Sequence, residues 1–170
     1  AALACAATAS AATDAEKATY KDAKDSATAT YKSARAQCDT LKDNPKDVCV
    51  AEAKAAEKRS KAEAEAMYKN TPNARMNARI DGFDADYAVA KEKCNAQSGN
   101  AKDVCVKEAK AVHTKAVTDA KAKKDIGDVK SDAKKDMSEA DYKVAIEKCD
   151  GMSGPAKDGC VASAKSKYGK

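Results

Sequence analysis

The residues best equipped for covalent chemistry are seven cysteines, and six of them fall into pairs: Cys38/Cys49, Cys94/Cys105 and Cys149/Cys160. Ten residues separate the members of every pair, and the pairs recur every 55 or 56 residues. Thiols so placed could form disulfides, ligate a metal or cycle redox. Zinc sites favour Cys-x2-Cys or nearby histidines, and the chain has a single histidine, His113. A redox centre wants Cys-x2-Cys at a helix start, and haem attachment wants Cys-x2-Cys-His; neither occurs. Structural disulfides are therefore the expectation, with no metal and no cofactor. His113 reads as an exposed residue in the middle of a helix.

The seventh cysteine, Cys5, sits in Ala1-Ala2-Leu3-Ala4-Cys5-Ala6, a small and uncharged opening. It resembles the tail of a secretory signal with an Ala-x-Ala cleavage site. Leu3-Ala4-Cys5 also approximates a lipobox, although the leucine stands one residue too close to the cysteine. An odd cysteine in an exported protein implies an intermolecular bond, a lipid anchor or a free thiol, and all three stay open for Cys5.

The pairs belong to an internal repeat. Tyr31, Tyr87 and Tyr142 each stand seven residues before the first cysteine, with Ala34, Ala90 and Ala145 between. Lys46-Asp47, Lys102-Asp103 and Lys157-Asp158 precede the second cysteine, and Val50/Ala53, Val106/Ala109 and Val161/Ala164 follow it. The spacing is helical. Tyr20, Ala23, Ala27, Tyr31, Ala34 and Cys38 step by three or four and share one stripe. Cys49, Ala53, Ala56, Ser60, Ala64 and Met67 form a second stripe, and Cys105, Ala109, Val112, Ala116 and Ala120 a third. In an antiparallel hairpin facing stripes bring the two sulfurs together at the bend.

The elements that must do this positioning are helices of about 25 residues. The first spans 14–38 and the second 45–69, with Asn44 as N-cap and Pro45 at the first helical position. Asn100 repeats that logic, and Gly154-Pro155 opens the last helix. Breaks are expected at Asn70-Thr71-Pro72-Asn73, at Asp81-Gly82 and at Ile126-Gly127-Asp128. The organisation is an N-terminal arm (1–13) followed by hairpin repeats over 14–70, 71–126 and, truncated, 127–170. The fold class is all-α: three disulfide-stapled antiparallel helical hairpins in an elongated array or bundle.

Composition limits the function. Of the 73 hydrophobic residues 40 are alanine and only 20 are Val, Ile, Leu, Met or Phe. Alanine is the best helix former, but each buried methyl stabilises far less than a leucine side chain. A disulfide closing so short a loop contributes on the order of 2–3 kcal/mol and offsets the thin core. There is no Gly-rich phosphate loop, no Gly-x-Ser-x-Gly and no His-Glu-x2-His, so no enzyme is expected. Lys+Arg 32 against Asp+Glu 27 are finely interleaved, which argues against nucleic-acid binding, since phosphate neutralisation needs uncompensated cations. No run of 18 apolar residues occurs, so no transmembrane segment is expected.

The unit seen in Glu92-Lys93-Cys94 and Ala101-Lys102-Asp103-Val104-Cys105-Val106-Lys107-Glu108-Ala109-Lys110 resembles a group of uncharacterised Ala/Lys-rich exported proteins of Gram-negative bacteria. Members are often labelled similar to the envelope protein TolA, whose long periplasmic helix is also rich in Ala, Lys, Glu and Asp. The TolA likeness is one of composition, without TolA's anchor or C-terminal domain. The resemblance implies a periplasmic or extracellular location and no known chemistry. The sequence reading is a non-catalytic structural protein: a self-assembling, filament- or sheath-like homo-oligomer, with envelope components as further partners. The alternative is a monomeric periplasmic stress-response or chaperone-like binder.

Overall fold

A computed structural model describes residues 13–170, and Cys5 with residues 1–12 of the predicted arm lies outside the described residues. The chain forms α1 (Asp14–Gln37), a 3-10 turn (Cys38–Thr40), α2 (Asp43–Lys69), α3 (Pro72–Cys94), α4 (Gly99–Asp150) and α5 (Gly154–Tyr168). There is no strand among the described residues, and the fold is all-α with disulfide staples. It divides into two compact units, one ending at Ala122 and one comprising Lys123–Lys170.

Local chemistry explains where the helices start and stop. Thr13 caps α1 with a reciprocal capping box: its hydroxyl accepts from the Glu16 amide while the Glu16 carboxylate accepts from the Thr13 amide. Thr71 caps α3 with Pro72 behind it, and α2 ends on Asn70 in the left-handed conformation. The predicted breaks at Asp81-Gly82 and Ile126-Gly127-Asp128 are absent, because α3 and α4 run through them. A glycine inside a helix costs only about 1 kcal/mol relative to alanine. Neighbours as helix-prone as these outweigh it.

Packing within the first unit is built almost entirely from methyl groups. α2 lies between α1 and α3: Ala53 and Ala64 turn toward α1, while Ala55 and Ala62 turn toward α3. Every buried side chain among the described residues is alanine or the first cysteine of a pair, and Cys38, Cys94 and Cys149 are the largest fully buried ones. Five residues of the expected stripes are exposed: Ala23, Ala56, Ser60, Met67 and Val112. Met67 is 79 % exposed and Val112 is 70 % exposed. At the second of these the helix turns one residue further, so that His113 faces α3 instead.

Candidate functional site

The three bends are chemically alike. Disulfides join Cys38 to Cys49, Cys94 to Cys105 and Cys149 to Cys160, with Cα–Cα separations of 5.6, 5.7 and 5.6 Å. Six residues before each second cysteine the backbone turns left-handed, at Asp43 (φ 52°), Gly99 (φ 57°) and Gly154 (φ 60°). That conformation lets the chain leave one helix and enter the next with the sulfurs adjacent. The repeated lysine of each Lys-Asp motif then closes the first and third bends. Lys46 reaches Asp39 at 3.0 Å and Lys157 reaches Asp150 at 2.8 Å, each aspartate directly following a first cysteine. In the second repeat that position is Asn95, which bonds Glu92 instead. Arg35 and Lys46 together hold the Asp39 carboxyl below the ordinary carboxylate range.

Asn44 does not cap α2 as expected. The N-cap is Lys42, and the Asn44 amide donates to the carbonyl of Glu92 on α3 at 2.7 Å. The asparagine joins two repeats rather than starting a helix. Asn100 likewise lies inside α4, which begins one residue earlier.

Aromatic pairs form rungs across the hairpins. Tyr87 meets His113 at 5.2 Å between ring centroids, and Tyr142 meets Tyr168 at 6.1 Å, edge to face. Both pairs join the residue seven before the first cysteine to the residue eight after the second. In the first hairpin those positions hold Tyr31 and Glu57, and the rung lies eleven residues further out on each helix. There Tyr20 and Tyr68 stack at 4.7 Å with planes 12° apart. Eleven residues make about three helical turns, so the rung keeps its face. The fixed tyrosine position marks the rungs of the second and third hairpins but not that of the first.

A polar cluster ties α2, α3 and α4 together within the first unit. His113 is not an exposed surface residue: its side chain is 24 % exposed, and its Nε2 donates to Asp84 Oδ1 at 2.7 Å. Lys58 bridges Asp81 at 3.0 Å and Asp84 at 3.3 Å, while Arg59 pairs with Asp86 and Lys93 with Glu52. The His113 hydrogen bond is the largest influence holding the Asp84 carboxyl below its ordinary value, with Lys58 acting in the same direction against partial burial. An open cleft of about 530 Å³ runs beside the cluster between α2 and α3, lined among others by Asp47, Lys54, Lys58, Asp84 and Glu92. Lys58 holds Asp81 and Asp84, Arg59 holds Asp86 and Lys93 holds Glu52, so the arrangement works as a tie between helices.

Among the described residues no three His, Cys, Asp or Glu side chains converge as metal ligands. No helix among them is long and apolar enough to cross a membrane. No family model matches the chain, and neither a curated protein nor a solved structure is significantly similar to it.

Proposed function

We propose that the protein is a non-catalytic structural subunit that assembles with copies of itself in the cell envelope or outside the cell. One observation carries the reading. The chain fills its interior with alanine and half-cystine while Met67, Val112, Ile126, Val129, Met137 and Val144 stand more than half exposed. Large apolar groups are the side chains with most to gain from burial, and a chain that keeps them outside gains that burial by association. The three disulfides suit an oxidising compartment, in line with the resemblance to Ala/Lys-rich exported proteins. In this reading the staples hold each hairpin rigid enough to present a fixed outer surface, a task that the thin core leaves to covalent bonds.

The test is sedimentation velocity and light scattering on the oxidised full chain from micromolar to millimolar concentration, with electron micrographs of material from the native source. Mass rising with concentration, and fibres or sheets in the micrographs, is the expected result. A strict monomer throughout would overturn the proposal and favour a monomeric binder.

A further inference from the structure

Within the unit Lys123–Lys170, α5 covers one side of α4. The α4 residues turned toward α5 are Tyr142, Ala145, Ile146 and Cys149, all buried or half-buried. At 100° per residue the opposite side carries Ile126, Val129, Ala133, Met137, Ala140 and Val144. Its four large members are 55, 68, 68 and 53 % exposed. The steps are 3, 4, 4, 3 and 4, an eleven-residue repeat that returns to within about 20° of the same face and so keeps the stripe straight along the helix. Tyr20, Ala23, Ala27, Tyr31, Ala34 and Cys38, the stripe by which α1 packs on α2, has the same steps. The α4 stripe has the spacing of a packing seam, and its large side chains stay open.

The charges beside the stripe identify what fits it. Projected around the helix, one margin holds Asp125, Asp132 and Asp136, then Lys143; the other holds Lys123, Lys130 and Lys134, then Asp141. The first margin changes sign between residues 136 and 143 and the second between 134 and 141. When two such helices lie parallel, the first margin of one runs along the second margin of its partner. In equal register Asp132 then meets Lys130 and Lys134, Asp136 meets Lys134, and Lys143 meets Asp141. An antiparallel pair would match Asp125 with Lys143 at its ends but set Asp132 against Asp136 and lysine against lysine at its centre, whereas the parallel pair matches opposite charges along the whole stripe. A parallel pair shifted by one eleven-residue repeat would bring Lys143 beside Lys130 and Lys134. Among the described residues Lys123, Lys130, Lys134, Asp136, Asp141 and Lys143 form no ion pair within the chain. Margin pairs contribute little affinity each, but they choose orientation and register.

We propose that this outer face of α4, from Ile126 to Val144, docks on the same face of a second copy, with the two helices parallel and in register. The inference rests on the self-assembly reading and names its contact. The test uses the oxidised full chain in a Cys5→Ser background. Ile126→Cys alone should give a covalent dimer on mild oxidation, because equal positions meet in a parallel pair. A crosslink formed only when the Ile126→Cys and Val144→Cys chains are mixed would overturn the arrangement, because that pairing is antiparallel. Val129→Lys with Met137→Lys should raise the dissociation constant of self-association roughly a hundredfold while leaving helicity unchanged. If the parent chain associates and this double variant associates equally well, the α4 face is wrong and the self-assembly reading stands. If the parent stays monomeric, both fall.

Discussion

Replacing Gly99 by alanine should destabilise the protein, whereas replacing Gly127 by alanine, in the same helix, should stabilise it. Gly99 begins α4 with φ at +57°, and a Cβ placed there would meet no atom within 4 Å. The cost of Gly99→Ala is therefore conformational. A left-handed alanine costs about 1–2 kcal/mol, and the lower entropy of the unfolded alanine chain returns about 0.4–1 kcal/mol. The net loss is about 1 kcal/mol. Gly127 lies inside α4 and is equally open around its Cα, so Gly127→Ala gains about 1 kcal/mol of helix propensity. One chemical change thus has effects about 2 kcal/mol apart, according to where on the helix it is made. Gly154→Ala should follow Gly99→Ala. Asp43→Gly should stabilise, by a smaller amount because aspartate tolerates the left-handed region better than alanine does. Urea unfolding of the oxidised proteins, followed by circular dichroism at unchanged slope, reads these differences as shifts in midpoint. A neutral or stabilising Gly99→Ala would refute the argument that a left-handed residue forms each bend.

Three further outcomes follow from the geometry. Removing one staple, Cys38→Ala with Cys49→Ala, should cost about 3 kcal/mol by loop entropy for a sequence separation of 11, measured by thermal melting without reductant; an unchanged midpoint would exclude a stapling role. The Asp84 carboxyl has its folded pKa lowered, chiefly by His113. Its stabilising contribution is therefore complete above the ordinary aspartate value of 3.8 and is lost as pH falls through the folded value. Asp84→Asn should flatten the acid limb of the stability profile, and a limb identical to the parent's would count against the tie. In a double-mutant cycle on Tyr20→Leu and Tyr68→Leu, the coupling should be about 0.5–1.5 kcal/mol, and a coupling of zero would mean that the stacked pair contributes only its area.

Some of this architecture can be read directly from residue order. The ten-residue gap between paired cysteines, the tyrosine seven residues upstream and the lysine-aspartate motif of the bend are periodic, and a helix turns such periods into adjacency. The margins of the second stripe were less legible. Alanine occupies so many positions on α2 that no pattern distinguishes the face toward α1 from the face toward α3, since both are made of identical methyl groups. The spacing points His113 outward for a related reason. Hydrophobicity favours Val112 for the inward position, but the ring of His113 finds the Asp84 carboxylate and the Tyr87 ring across the helix gap. Those partners lie 26 and 29 residues away in sequence. Gly82 and Gly127 carry the usual signal of a break, yet the flanking helix formers override it.

The sequence by itself determined the all-α class, the three cysteine pairs and the bends between them, because each depends on residues within a few turns of one another. Only the tertiary structure decided which face of α2 meets which neighbour, that Asn44 and His113 join separate helices, and that Ile126, Val129, Met137 and Val144 of α4 stand in solvent. Those outcomes depend on competition between distant surfaces for the same position, and a one-dimensional period cannot say which surface arrives.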